Sequence, residues 1–149
     1  MNKILKSALA VAAVTFAIPA AQAATVTDTF DVVVNLTPAC RISTAPGDIT
    51  VNYTAFAAAA TGTTNFVVQC SAGLLYSVTM PISGANNIST NLGLTNSVAI
   101  TAGGTTNVAG TVAGNTHTIT ATVGGNEAGT CAGPGVCTAT NTYTLTITY

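Results

Sequence analysis

The feature that most constrains this chain is a hydrophobic period of two that recurs along nearly its whole length. In residues 26–36 the apolar side chains Val26, Phe30, Val32, Val34 and Leu36 fall on even positions, and the odd positions carry mostly Thr, Asp and Asn. The same alternation returns at Phe66, Val68 and Cys70, then at Tyr76, Val78, Met80 and Ile82. It appears again at Ile119, Ala121 and Val123, and finally at Tyr143, Leu145, Ile147 and Tyr149. Successive side chains of a strand point to opposite faces, so each set predicts a strand with one buried face. Thr fills many of the alternate positions, and its branched Cβ favours strands. Gly, Asn and Pro cluster between the runs, at residues 45–48, 84–87, 103–104, 124–126 and 133–135. After Ala23 no segment of useful length has helical period; the nearest approach, residues 56–60, is too short. Residues 83–113 are weakly patterned, with Val98 and Ile100 assigned to one strand. Short strands at regular spacing predict an all-β sandwich in a single domain.

Composition narrows the chemistry. The chain is 48% hydrophobic and 5% charged, where a typical soluble domain carries about a quarter charged residues. Three basic side chains cannot form the clustered positive face that neutralises phosphates, so a nucleic-acid partner is excluded. Proton-moving groups are scarce. His117, the one histidine, reads as a strand residue within Thr116-His117-Thr118. No Gly-x-Ser-x-Gly elbow, phosphate-binding glycine loop, paired carboxylates or metal-ligand cluster stands out. The reading is a non-enzyme with no cofactor.

Residues 1–23 read as a secretory signal. Lys3 and Lys6 precede an apolar run from Leu9 to Ile18, and Ala21-Gln22-Ala23 supplies the small-residue cleavage site. The run is shorter than the roughly 20 residues a membrane span needs. Cleavage after Ala23 leaves Arg41 as the only basic side chain, against Asp28, Asp31, Asp48 and Glu127. All four cysteines, Cys40, Cys70, Cys131 and Cys137, lie beyond the cut. An even number in an exported chain reads as disulfides, with three possible connectivities. Cys131 and Cys137 flank Ala-Gly-Pro-Gly-Val, a turn-forming loop able to close a small ring, which leaves Cys40 with Cys70. Neither pair has the two-to-four-residue spacing usual for a thiolate zinc site. Closing the longer loop is worth roughly 3–4 kcal/mol.

The segment Phe30-Asp31-Val32-Val33-Val34-Asn35-Leu36-Thr37-Pro38-Ala39-Cys40 resembles the opening of archaic (Csu-type) chaperone–usher pilus subunits, which share the spore coat protein U-like domain. Asn65-Phe66-Val67-Val68-Gln69-Cys70 and Leu75-Tyr76-Ser77-Val78-Thr79-Met80 resemble that family's second cysteine strand and the strand after it. Tyr143-Thr144-Leu145-Thr146-Ile147-Thr148-Tyr149 is similar to its terminal strand. The chain departs from the family at Asn141-Thr142-Tyr143-Thr144-Leu145, where a Gly-x-Tyr-x-Asp pattern is usual, in the extra Cys131/Cys137 pair, and at Asp28, which falls on the apolar face of the first run. The resemblance implies an incomplete immunoglobulin-like sandwich whose final strand comes from a donor. Residues 24–36 would be the donor extension, with anchors Val26, Phe30, Val32, Val34 and Leu36, and residues 37–149 the pilin domain. Leu145 and Ile147 would line the receiving groove, and Tyr149 with the terminal carboxylate would meet the chaperone. The implied partners are a periplasmic chaperone, an outer-membrane usher and neighbouring subunits in a head-to-tail surface fibre that supports attachment and biofilm formation. The rival expectation is a self-contained secreted β-sandwich, a coat-matrix or carbohydrate-binding protein.

Overall fold

A computed structural model describes residues 25–149; the expected signal segment, 1–23, lies outside the described residues. Every strand belongs to the unit Leu36–Tyr149. There β1 (Cys40–Thr44), β2 (Ala60–Cys70), β3 (Leu75–Thr79), β4 (Asn96–Ala102), β5 (Val108–Ala109), β6 (Asn115–Val123) and β7 (Thr146–Thr148) form two antiparallel sheets. One has the order β1-β2-β6-β4, the other β5-β3-β7, and neither closes into a barrel. The expected all-β class is the observed one.

Alternation decides the core. On β2 the buried residues are Phe66, Val68 and Cys70, on β3 Tyr76 and Val78, and on β6 His117, Ile119 and Val123. Phe66, Val68, Cys70, Tyr76, Val78 and Ile119 form one cluster, with Val98, Ile100, Val108, Leu145 and Ile147 packed against it. Both sheets therefore contribute inward faces to a single core, the arrangement of a β-sandwich. Val98 and Ile100 share β4, as the sequence suggests. Gly62 is required where residues 49–51 cross β2, because a Cβ there would sit 2.7 Å from Ile49 Cγ2 and 3.1 Å from the Thr50 carbonyl.

Three expectations are revised. The strand expected over 76–82 ends at Thr79, and the one expected over 143–149 is confined to Thr146–Thr148. Pro81 accounts for both: its carbonyl accepts from Thr144 N at 3.0 Å, but it has no N–H to return. Pairing then resumes only as an isolated bridge between Ile82 and Tyr143. Secondly, a helix does exist, α1 (Asn87–Leu92), and not at residues 56–60. It forms by its caps: Asn86 Oδ1 accepts from Ser89 N at 3.1 Å, and Gly93 takes the left-handed conformation with φ 61°. Thirdly, residues 25–36, despite their clean alternation, form no strand. A strand persists through a ladder of partner hydrogen bonds, and none is made to these residues by another strand.

Candidate functional site

Both expected disulfides are present. Cys40 and Cys70 face each other across β1 and β2 with Cα atoms 4.1 Å apart, and Cys131–Cys137 closes the exposed ring at 131–137. Cys70 is buried in the core, which the first bridge thus ties to the edge strand β1.

The five expected anchors, Val26, Phe30, Val32, Val34 and Leu36, are between 76% and 91% exposed, and Val33 is 79% exposed. So many exposed large apolar side chains in one short segment are unusual for a monomer. Leu145 and Ile147, by contrast, reach the core cluster, whereas Tyr149 is 60% exposed.

The two sheets expose their edges differently. Among the described residues β7 pairs only with β3, through Thr146↔Thr79, Ile147↔Val78 and Thr148↔Ser77. Val78 N donates to Thr105 O at 2.8 Å, on the side away from β7. In an antiparallel ladder this makes Val78↔Ile147 the non-hydrogen-bonded pair, so the N–H and C=O of Ile147 point off the free edge of β7. Those unpaired groups sit beside the half-buried side chains of Leu145 and Ile147. β1 likewise pairs on one side only, with β2. Its alternation is set by the bridge: Cys40 turns inward to Cys70, and Ile42 lies opposite the buried Val68. Arg41, opposite Gln69, therefore turns outward. Its guanidinium donates to Gln69 Oε1 at 3.0 and 2.7 Å and is exposed.

His117 is a strand residue of β6, as expected, and it is fully buried, with 0% of its surface exposed. Its ring stacks on Phe66 with centroids 4.8 Å apart. Nδ1 lies 3.1 Å from the Gly104 carbonyl, which can only accept, so Nδ1 carries the proton and Nε2 accepts from the Tyr76 hydroxyl at 2.7 Å. That hydroxyl accepts in turn from Asn115 Nδ2 at 3.0 Å, and Asn115 also donates to Ala109 O at 2.8 Å. The polar atoms linked in this run, from Gly104 O through His117 and Tyr76 to Asn115 Nδ2, are all satisfied with a neutral imidazole. Burial holds the His117 pKa below its ordinary 6.5, against a smaller upward push from the Gly104 hydrogen bond. Neither nitrogen is free for substrate.

Glu127 is also engaged: its carboxylate accepts from Thr95 N at 2.7 Å and from the Thr95 hydroxyl. Those contacts fix the turn at 124–127 to Thr95, just before β4, and the Glu127 backbone N–H donates to the Tyr53 hydroxyl at 2.8 Å, which ties the same turn to Tyr53. A cleft of about 500 Å³ opens between β3 and β4, lined by Val78, Met80, Pro81, Val98, Ile100 and Thr105 among others. Sequence reasoning did not find it, since its lining brings together residues of β3, of β4 and Thr105 that lie far apart in the chain. None of the residues lining it is titratable. Among the described residues no group of three or more His, Cys, Asp or Glu is placed to hold a metal ion, and no helix is long and apolar enough to cross a membrane. No protein-family model, curated protein or solved structure matches this chain.

Proposed function

We propose that the chain is a structural subunit of a surface fibre, polymerised by donating residues 24–36 of one copy to the open edge of the next. The observation that carries this reading is the pairing of two complementary deficits in one molecule. Residues 25–36 carry a strand's alternation and a row of exposed apolar anchors without a sheet. The strand β7 has a free edge beside half-buried apolar side chains. The strand orders support it too. An immunoglobulin-type sandwich has sheets ABED and CFG. Reading β1, β2, β3, β4, β6 and β7 as A, B, C, D, E and F gives A-B-E-D in one sheet and C-F in the other, with β5 outside C. The position left over is G, next to β7 and across from β1. The fold is then an incomplete immunoglobulin-like sandwich, and the incoming strand lies between β7 and β1.

Magnitudes favour the exchange. Burying one Val, Leu or Phe is worth roughly 1.5–3 kcal/mol, so five anchors give on the order of 8–15 kcal/mol gross. That matches the stability of a whole domain. Donation from head to tail is a heterologous contact that does not close, and it generates a fibre. The resemblance to archaic pilus subunits adds the route: export through residues 1–23, a periplasmic chaperone holding the groove, an outer-membrane usher exchanging it, and a place on the cell surface supporting attachment and biofilm formation. On this reading the protein is not an enzyme.

The test is thermal unfolding of the disulfide-bonded chain 37–149, with and without a peptide spanning residues 24–36. The expected result is a slow, large rise in the unfolding midpoint, lost when Val32→Asp and Val34→Asp are placed in the peptide. A shortened chain that is already stable and ignores the peptide would favour the second reading, a self-contained secreted β-sandwich acting as a coat or carbohydrate-binding module. That reading has an observation of its own, since the core cluster assembles entirely from residues 40–147.

A further inference from the structure

Charge on this molecule is so sparse that its placement is informative. Among the described residues Arg41 is the only lysine or arginine, and it stands on the outward face of β1, an edge strand. Its guanidinium touches Gln69 and no carboxylate. Of the four acidic residues, Glu127 is engaged with Thr95, and two, Asp28 and Asp31, fall within the exposed segment 25–36. If Phe30, Val32 and Val34 turn inward as anchors, Asp31 turns outward, because successive side chains alternate. It is then the only charged side chain on the outward face of that segment. Asp28 has the opposite parity, and its carboxylate accepts from Thr29 N at 2.8 Å.

We propose that Arg41 forms an ion pair with Asp31 of a second copy, and that this pair sets the register in which the incoming segment docks. The inference rests on the strand-donation reading and deepens it. A strand lying between β7 and β1 with its anchors toward the core runs along the free edge of β1 as well as that of β7, and its outward Asp31 then shares a face with Arg41 of β1. Outward side chains of neighbouring strands stand about 4.5–5.5 Å apart at Cβ when directly opposite and about 7–8 Å when diagonal, both within reach of an arginine. Period-two alternation alone tolerates slips of two residues, since a slip of two keeps every anchor inward. A single cation facing a single anion does not tolerate them. Complementary charge contributes specificity more than affinity, which is what a segment with several near-equivalent valines lacks.

The experiment is a binding cycle on the chain 24–149 with Val32→Asp and Val34→Asp in its own extension, so that it cannot donate to itself. The probe is a fluorescent peptide of residues 24–36. Against the Arg41 host, Asp31→Lys in the peptide is expected to weaken binding about two- to five-fold, the range of exposed ion pairs. Against an Arg41→Glu host the order reverses, and salt of about 0.5 M removes both differences. Asp28→Asn changes affinity equally on both hosts. Arg41 is exposed, so an unchanged unfolding midpoint of the Arg41→Glu host verifies that it folds. An Asp31→Lys effect that is the same on both hosts overturns the ion pair while leaving strand donation intact. A peptide with the native sequence that fails to bind the Arg41 host overturns both.

Discussion

At the scale of single residues, the most consequential side chain is the one the sequence made least of. His117 is recognisable as a strand residue from its neighbours, but its role depends on Tyr76, 41 positions away, and on Asn115 and Gly104. Local pattern carries no information about partners at that separation. Gly103 is legible only in retrospect: its φ of +91° and the Thr116 carbonyl 2.5 Å from where a Cβ would stand leave room for nothing larger beside His117. The buried neutral imidazole makes stability depend on pH. Its pKa is depressed in the folded chain, so the unfolded chain binds the proton first as pH falls below about 6.5. The contribution is complete above that pH and is lost on acidification, at up to about 1.4 kcal/mol per pH unit for one proton. Around the ring stand Phe66, Tyr76, Asn115 and Gly104, with no carboxylate to stabilise the cation. Urea midpoints measured between pH 7.5 and 5 are expected to fall, and a His117→Gln chain, though less stable overall, is expected to show a flatter profile over that range.

At the scale of elements, alternation succeeds wherever a strand has one face on the core, as in the second half of β2, the start of β3, β4 and β6. It overestimates β7, because the limit on that strand is set by Pro81 on its partner, outside the strand's own sequence. It misses α1, because a six-residue helix with no buried residue is specified by Asn86 and Gly93 at its ends and leaves no periodic trace. The cysteine pairing was legible, and the two bridges differ in what they stabilise. Cys40–Cys70 closes a loop with a sequence separation of 30, and Cys131–Cys137 one of 6. Chain entropy assigns them about 3–4 and about 2 kcal/mol. Replacing both cysteines of the first pair by Ala is therefore expected to cost more than the same change in the second, and the gap widens because Cys70 is buried while the 131–137 ring is exposed. Thermal midpoints of the two double variants check the order.

At the scale of the whole molecule, the sequence shows which class of fold forms, but not which sheet edges stay open. Edge identity follows from the order β1-β2-β6-β4 and β5-β3-β7, a property of long-range pairing. The same order determines how the chain answers to tension. A pull on residues 25–39 enters the folded unit at Cys40, the first residue of an edge strand, where hydrogen bonds would ordinarily open one after another like a zip. The bridge to Cys70 removes that route. Load passes from Cys40 through sulfur to the far end of β2, whose ladder with β6 runs from Ala60↔Val123 to Val68↔Asn115. Single-molecule pulling between the N-terminal segment and Tyr149 is expected to give a lower rupture force once the Cys40–Cys70 bridge is reduced, with β1 released before the rest. A covalent link that looks like a contribution to folding stability is, under traction, the fastening between a tether and the body it is anchored in.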